Sequence, residues 1–585
     1  MEASTTFATH SHHQLPIRYA DFATLAEALD YAALGETGMN FYDRRNNLMA
    51  AVPYSMLKVN AVEGAHKLLS LGLTKGDRVA LIAETSVEFV ETFFACQYAG
   101  LIAVPLAIPM GIGQSASYVK KLTGLLNGCQ ASVVLSSKEW LPMVQEVVCD
   151  YNSPTILSHE AFAELSYDAA SELPQVAPED IAYLQYTSGS TRFPRGVVVT
   201  QESAMANLRA ISHDGIKLKK DDRCVSWLPF YHDMGLVGFV LTPVATQISV
   251  DYLRTQDFAM RPIQWLKLIT KNKGTVSVAP PFGYEICLRR SNEKELAELD
   301  LSSWRIAGVG AEPIPSGLLD RFTEHFSQVG FGEDTFMPCY GLAENTLAVS
   351  FFDKATGPRY NVVDRYILEY ESQAVPPNDE SAAQAVFVNC GKAMPGHEIV
   401  IRNEKDEPLP ERSIGHICIA GPSLMRGYFR DKESHQQIQD KGWLDTGDLG
   451  YLLDGNLYIT GRKKDLIIIR GRNIWPQDIE YMAEAEPEVR TGDAIAFMTN
   501  QEHDDAERII LQIQCRVTST ERRGQIVHSL SSRIRNEFGV SVDVVLVPPH
   551  SIPRTSSGKP ARAEAKKLYL NQHFEPQLQL AGNKQ

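Results

Sequence analysis

Residues 92–119 carry no formal charge over a length sufficient to cross a bilayer. How that stretch is read decides what the rest of the chain can fold into. Pro105 and Pro109 interrupt it, Gly100, Gly111 and Gly113 lie within or beside it, and its apolar residues change period midway. A helix-period run over 87–99 ends at Gly100, and a short apolar strand pattern over 101–104 follows. The segment therefore predicts buried α/β core and no integral membrane span. The same alternation recurs on either side. Residues 78–83 form an apolar strand run, 181–186 and 197–200 flank a loop of small residues, and 201–213 reads as a helix. Strands and helices in alternation predict an α/β fold with largely parallel sheets.

Composition narrows the class further. The hydrophobic fraction of 44% and the charged fraction of 22% exclude disorder and collagen-like order. A net charge of −15 argues against nucleic acid or an anionic membrane as the main electrostatic partner. From Lys464 onward acidic and basic side chains balance, so the whole excess lies in residues 1–463. Length alone suggests about four domains at roughly 150 residues each, but this asymmetry, and the basic turn at 461–465, place a boundary at about 464, giving units 1–463 and 464–585. Residues 551–585 form a locally positive tail. The nine cysteines never stand at CxxC spacing, which predicts a reduced, cytoplasmic protein without a zinc or redox motif. The N-terminus lacks the order of a signal peptide, and its His-Ser-His-His run is expected to be a frayed end.

The most informative segment is QYTSGSTRFPRGVV at 185–198. It passes from an apolar strand into a loop of hydroxyls and glycine, then back into a strand. Thr187, Ser188, Gly189, Ser190 and Thr191 let backbone amides and hydroxyls surround phosphate oxygens at close range. Arg192 and Arg195 add charge and bidentate hydrogen bonds. The GxxxxGK[ST] spacing is absent and a strand follows, so this is not a Walker A loop. Gly111, Gly113 and Ala116 fit a loose dinucleotide pattern, but flanking prolines make it a chance match, and no GxSxG elbow occurs.

With its loop TSGSTRFPRG, the chain resembles the adenylate-forming enzymes: acyl- and aryl-CoA synthetases, luciferases, nonribosomal adenylation domains and fatty acyl-AMP ligases. Arg192 stands where the general family has Gly, as in the fatty acyl-AMP ligase branch. Further motifs follow in family order: WLPFYHDMGLVG at 227–238, Gly310-Ala311-Glu312-Pro313, Tyr340-Gly341-Leu342-Ala343-Glu344, Thr446-Gly447-Asp448, GRKKDLIIIRGRNIWPQDIE at 461–480, and PRTSSGK ending at Lys559. The resemblance implies a large multi-subdomain N-terminal adenylate-forming domain and a small mobile α+β C-terminal domain. It implies ATP and Mg²⁺, a fatty acid substrate, and the phosphopantetheine thiol of an acyl carrier protein as acceptor.

The chemistry asks for positioning and charge neutralisation, because a carboxylate must attack an α-phosphate of like charge. By resemblance Lys559 is the essential lysine, a compact cation between the acyl carboxylate and the α-phosphate. Glu344 is expected to hold Mg²⁺, a hard oxygen ligand for a hard cation. Gly310, Ala311 and Glu312 form the adenine-side turn, Tyr340 with Gly341 and Leu342 offers an aromatic face, and Asp448 with Arg462 meets the ribose or phosphates. The resemblance implies that His232, Asp233, Met234 and Gly235 line the mouth of the acyl pocket, with His232 either a donor to the substrate carboxylate or, with Asp233, a structural pair. Ala343 replaces the family's threonine. The stretch 350–389 falls where the acyl-AMP ligase branch carries an insertion that hampers the domain closure CoA use needs, and 369–381 reads as an exposed excursion. The implied reaction is fatty acid plus ATP to acyl-AMP and pyrophosphate; an acyl-CoA synthetase and a non-catalytic lipid- or nucleotide-binding fold are the alternatives.

Overall fold

The computed structural model describes residues 15–108, 115–187, 194–357, 359–379, 382–469, 472–501, 504–555 and 559–571. Two large sheets organise the N-terminal body. The first has six strands in the order Thr155–Ser158, Val133–Ser136, Arg78–Ile82, Ile102–Leu106, Ile181–Tyr186 and Gly196–Thr200. Its pairs are parallel except the last, which is antiparallel. The second has nine strands, with a parallel centre that includes Arg223–Ser226, Val276–Ala279, Ile306–Val309 and Phe336–Gly341. Antiparallel pairs close it at both ends.

One hydrophobic cluster joins Tyr54, Phe93, Phe230, Trp265 and Phe322 between these sheets. A second, with Leu122, Leu126, Val134 and Leu184, covers the other face of the six-stranded sheet. Strands buried on both faces must be apolar throughout, which is why 78–83 and 181–186 read as continuous runs rather than alternating ones. The uncharged stretch resolves accordingly into the Val87–Tyr98 helix and the Ile102–Leu106 strand. Ser86 caps that helix by accepting from the Phe89 amide. Among the described residues, no helix is long and apolar enough to cross a membrane. All nine cysteines are free thiols.

The helix expected over 201–213 is α-helical at Gln201–Arg209 and then widens to a π turn at Ala210–Gly215. Ser212 Oγ bonds back to the Leu208 carbonyl at 2.7 Å, a competing acceptor contact that loosens the i−4 ladder. A four-stranded antiparallel sheet follows, ending in Leu444–Leu453 and Asn456–Arg462. Beyond it lies a smaller body with its own core of Ile467, Ile479, Leu511, Leu530 and Phe538, built on the three-stranded sheet of Ala494–Gln501, Asp504–Gln514 and Val542–Val547.

The stretch 350–389 contains an antiparallel pair, Tyr360–Asp364 with Gln384–Val388, and the Arg365–Glu371 helix. The expectation of an exposed excursion from 369 fails at its start. Glu369 is 1% exposed and ion-paired to Arg472, and Ala374 is fully buried. A charge leaves water there only because its partner goes with it.

Candidate active site

The C-terminal ends of the parallel strands supply the site, as open α/β sheets generally do. Thr187 stands immediately after Ile181–Tyr186, Gly310 to Glu312 after Ile306–Val309, and Leu342 to Glu344 after Phe336–Gly341. Thr187, Ala311, Glu312, Leu342 and Glu344 open onto one cavity of about 2380 Å³, which Lys559, Asp448, Arg462, His232 and Met234 also line. Ser188, Gly189, Ser190, Thr191 and Arg192 lie outside the described residues.

Gly310 has a steric reason to be glycine. A β-carbon there would meet the Cys339 carbonyl oxygen at 2.5 Å. The next residue, Ala311, takes a left-handed φ of 67° and turns its carbonyl toward the cavity, where Lys559 Nζ donates to it. Enclosure lowers the pKa of the Lys559 ammonium, and the nearby Glu312, Asp233 and Asp448 carboxylates oppose that shift. Burial in turn pushes Glu312 up, against the pull of Lys559 and His232.

Across the cavity Asp448 uses both carboxylate oxygens. Tyr340 Oη donates to Oδ2 at 2.7 Å, and Arg462 Nε approaches Oδ1 at 3.2 Å. His232 Nδ1 lies 2.6 Å from Asp233 Oδ1, which also accepts from the Met234 amide at 2.7 Å. Burial would raise the Asp233 carboxyl, but His232 and that amide outweigh it and hold the group below its ordinary value. His232 is therefore oriented by its neighbour, with its ring at the cavity wall. Trp227 stacks face to face on Phe258 at 3.7 Å, and Phe282 and Ile286 continue the apolar lining. The cavity thus joins a charged end to an apolar one. Cys339 also lines it, but burial pushes its thiol up to about 12, so it is not poised as a thiolate nucleophile.

Tyr428 is the site residue that sequence motifs missed. Its hydroxyl donates to Glu344 Oε1 at 2.8 Å, and the Arg195 guanidinium lies over its ring at 3.6 Å. Burial raises the Glu344 carboxyl, partly offset by that hydrogen bond. Tyr428 reaches the site because the loop before it pairs with the strand after the phosphate loop: Val198 N donates to Gly427 O and Phe429 N to Gly196 O. Among the described residues, no group of three or more His, Cys, Asp or Glu converges on a metal position. Glu344 alone suits a cation that takes most of its ligands from phosphates and water, which is how Mg²⁺ is commonly bound.

Asp448, Arg462 and a lysine brought over from the smaller body thus line one cavity, and the class of the protein is an ATP-dependent, adenylate-forming ligase. The chain belongs to the AMP-binding enzyme family: the family profile matches residues 50–429, and that of the AMP-binding enzyme C-terminal domain matches 471–565. A Caulobacter vibrioides protein named "Putative acyl-CoA synthetase" is 42% identical over 95% of this chain and 96% of its own length. The medium-chain-fatty-acid–[acyl-carrier-protein] ligase JamA of Moorena producens is 31% identical over 94% and 95%. A structure from a study of fatty acyl-adenylate ligases of E. coli and L. pneumophila superposes with a TM-score of 0.92 at 67% identity, covering 95% of this chain and 100% of that one.

Proposed function

We propose that this protein is a fatty acyl-AMP ligase. It activates a medium- or long-chain fatty acid with ATP and passes the acyl group to the phosphopantetheine thiol of an acyl carrier protein, in the cytoplasm. The observation that carries this reading is Lys559, delivered from the smaller body onto the Ala311 carbonyl at the junction of the charged and apolar ends of the cavity. The fatty acid carboxylate attacks the α-phosphorus, an O–P bond forms, the bond to the bridging oxygen breaks, and pyrophosphate leaves. Lys559 neutralises charge between carboxylate and α-phosphate. Thr187 and Arg195, with Ser188 to Arg192, cradle the departing phosphates. His232, held by Asp233, presents its ring to the carboxylate, and Asp448 with Arg462 takes the ribose. Gly310, Ala311, Glu312, Tyr340, Gly341 and Leu342 form the adenine side, and Met234 and Gly235 the mouth of the acyl channel. Glu344 would hold Mg²⁺, which supplies charge neutralisation on the phosphates.

The separate core of Ile467, Ile479, Leu511, Leu530 and Phe538 supports a division at about residue 464 into an adenylation domain and a cap. The stretch 350–389 engages the cap through Glu369–Arg472 and Arg365–Glu537, which supports an acceptor other than CoA. The name of the Caulobacter relative favours an acyl-CoA synthetase as the second reading. One assay separates them. With ATP, Mg²⁺ and a mixed fatty-acid pool, the ligase gives acyl hydroxamate on adding hydroxylamine and no acyl-CoA on adding CoA. Rapid acyl-CoA formation would overturn the proposal, and mass spectrometry of the adenylate gives the chain length.

A further inference from the structure

Arg562 stands three residues beyond Lys559 in a basic stretch that includes Lys566 and Lys567, and by sequence it belongs to a solvent-facing positive tail. The structure turns it inward. Its Nε donates to the Ala496 carbonyl at 2.7 Å, Nη2 to Glu480 at 2.6 Å and Nη1 to Asp465 at 3.0 Å. Three separate elements meet on this one side chain: the strand Ala494–Gln501, the helix Pro476–Glu484, and the turn Lys463–Asp465 directly after Arg462. Glu480 is fixed in its turn by the Ala496 amide at 2.7 Å. Between Arg562 and Lys559 the chain has little freedom. Ala561 N bonds to Pro553 O, Thr555 N to Lys559 O, and Arg554 bridges to Pro560. Lys559 therefore projects from the paired segments 553–555 and 559–561, whose base abuts Arg562.

We propose that Arg562 is a positioning residue for Lys559: its guanidinium locks the segment 559–561 that carries the lysine to the turn that joins the two bodies, so that Lys559 enters the cavity in register with Arg462 and Asp448. A planar fork with fixed donors suits this, whereas a lysine offers one flexible point charge. The inference rests on the adenylation reading above.

The test uses the full-length protein. In Arg562→Met the stem volume is kept and the fork removed. Pyrophosphate release with ATP and a fatty-acid pool should fall in kcat on the order of 100-fold, the scale of an ångström-level misplacement, with KM for ATP unchanged. Competitive acetylation read by mass spectrometry supplies a measure independent of turnover. Lys559 should label more slowly than the exposed Lys567 in the wild type, and as fast as Lys567 in the variant. Asp465→Ala, which removes the acceptor on the joining turn, should give a smaller loss, and adding it to Arg562→Met should cost nothing further. Wild-type kcat in Arg562→Met, or unchanged Lys559 labelling, overturns the proposal. Should Arg562→Met not fold, unchanged turnover and labelling in a folded Asp465→Ala overturns it equally. A wild-type protein that makes no acyl-AMP overturns the adenylation reading instead, while the labelling arm still reports on Arg562.

Discussion

At the scale of single residues, Lys559 and Tyr428 do different work and should fail differently. Lys559→Ala removes a cation from a half-enclosed site without emptying a packed core. Adenylate formation should fall on the order of 100- to 1,000-fold, as when an oxyanion-type contact is lost, while the thermal unfolding transition stays in place. Near-wild-type pyrophosphate release would remove Lys559 from the mechanism. Tyr428→Phe keeps the ring beneath Arg195 and deletes only the hydroxyl that reaches Glu344. Leaving that half-buried carboxylate short of a donor costs about 1 kcal/mol, readable as a lower denaturation midpoint. Tyr428→Leu loses the ring as well and should also weaken ATP binding, measured as a raised KM. Equal KM values in the two variants would show that the stacking on Arg195 has no part in holding phosphate.

At the scale of elements, Gly235 in the Asp233–Leu236 helix sets how closely that helix can fold onto the residues before it. A β-carbon there would lie 2.2 Å from the Pro229 carbonyl oxygen, a backbone atom that cannot swing away. Gly235→Ala is expected to destabilise by about 1–3 kcal/mol through overpacking, and an unchanged melting temperature would refute it. This kind of constraint marks where sequence reading ran out. Strands buried on both faces show themselves in the sequence as apolar runs. Glycine at 235 could be read as close packing, yet nothing local says against which carbonyl. Tyr428 is 84 residues from the carboxylate it serves, and it arrives only through main-chain pairing with the Gly196–Thr200 strand. Glu369 was misread for the same reason. Its polar neighbours described a surface, and the arginine that lets it be buried comes from the other body.

At the scale of the whole molecule, the smaller body meets the larger over a seam rich in acids. Burial raises Asp478 to about 7 against a neighbouring Arg365, with Glu369 and Glu480 adding to the rise. Glu484 is raised to about 8, also chiefly by burial. For an acid whose native pKa exceeds its unfolded one, the native state holds the extra proton, so stability falls as pH rises. The loss begins near the ordinary carboxylate value and is complete above about 7 for Asp478 and about 8 for Glu484. The two bodies should therefore grip each other more tightly at pH 6 than at pH 9. Limited proteolysis at the joining segment should be slower at the lower pH, and Asp478→Asn should flatten the difference. A cleavage rate independent of pH between those values would exclude this seam as a titrating contact.

Lys559 and the Asp448–Arg462 pair stand on separate hydrophobic cores, the lysine beside the Ile495, Phe497, Ile552 and Ala565 core of the smaller body and the pair beside the Tyr340, Ile417 and Leu457 core of the larger body, joined by a single crossing of the chain after Arg462. The meeting of lysine and nucleotide is thus a tethered encounter rather than a fixed feature of one core. Short flexible tethers hold their ends at effective concentrations on the order of millimolar. A smaller body supplied as a separate chain would have to approach that concentration to replace the one that covalent connection provides.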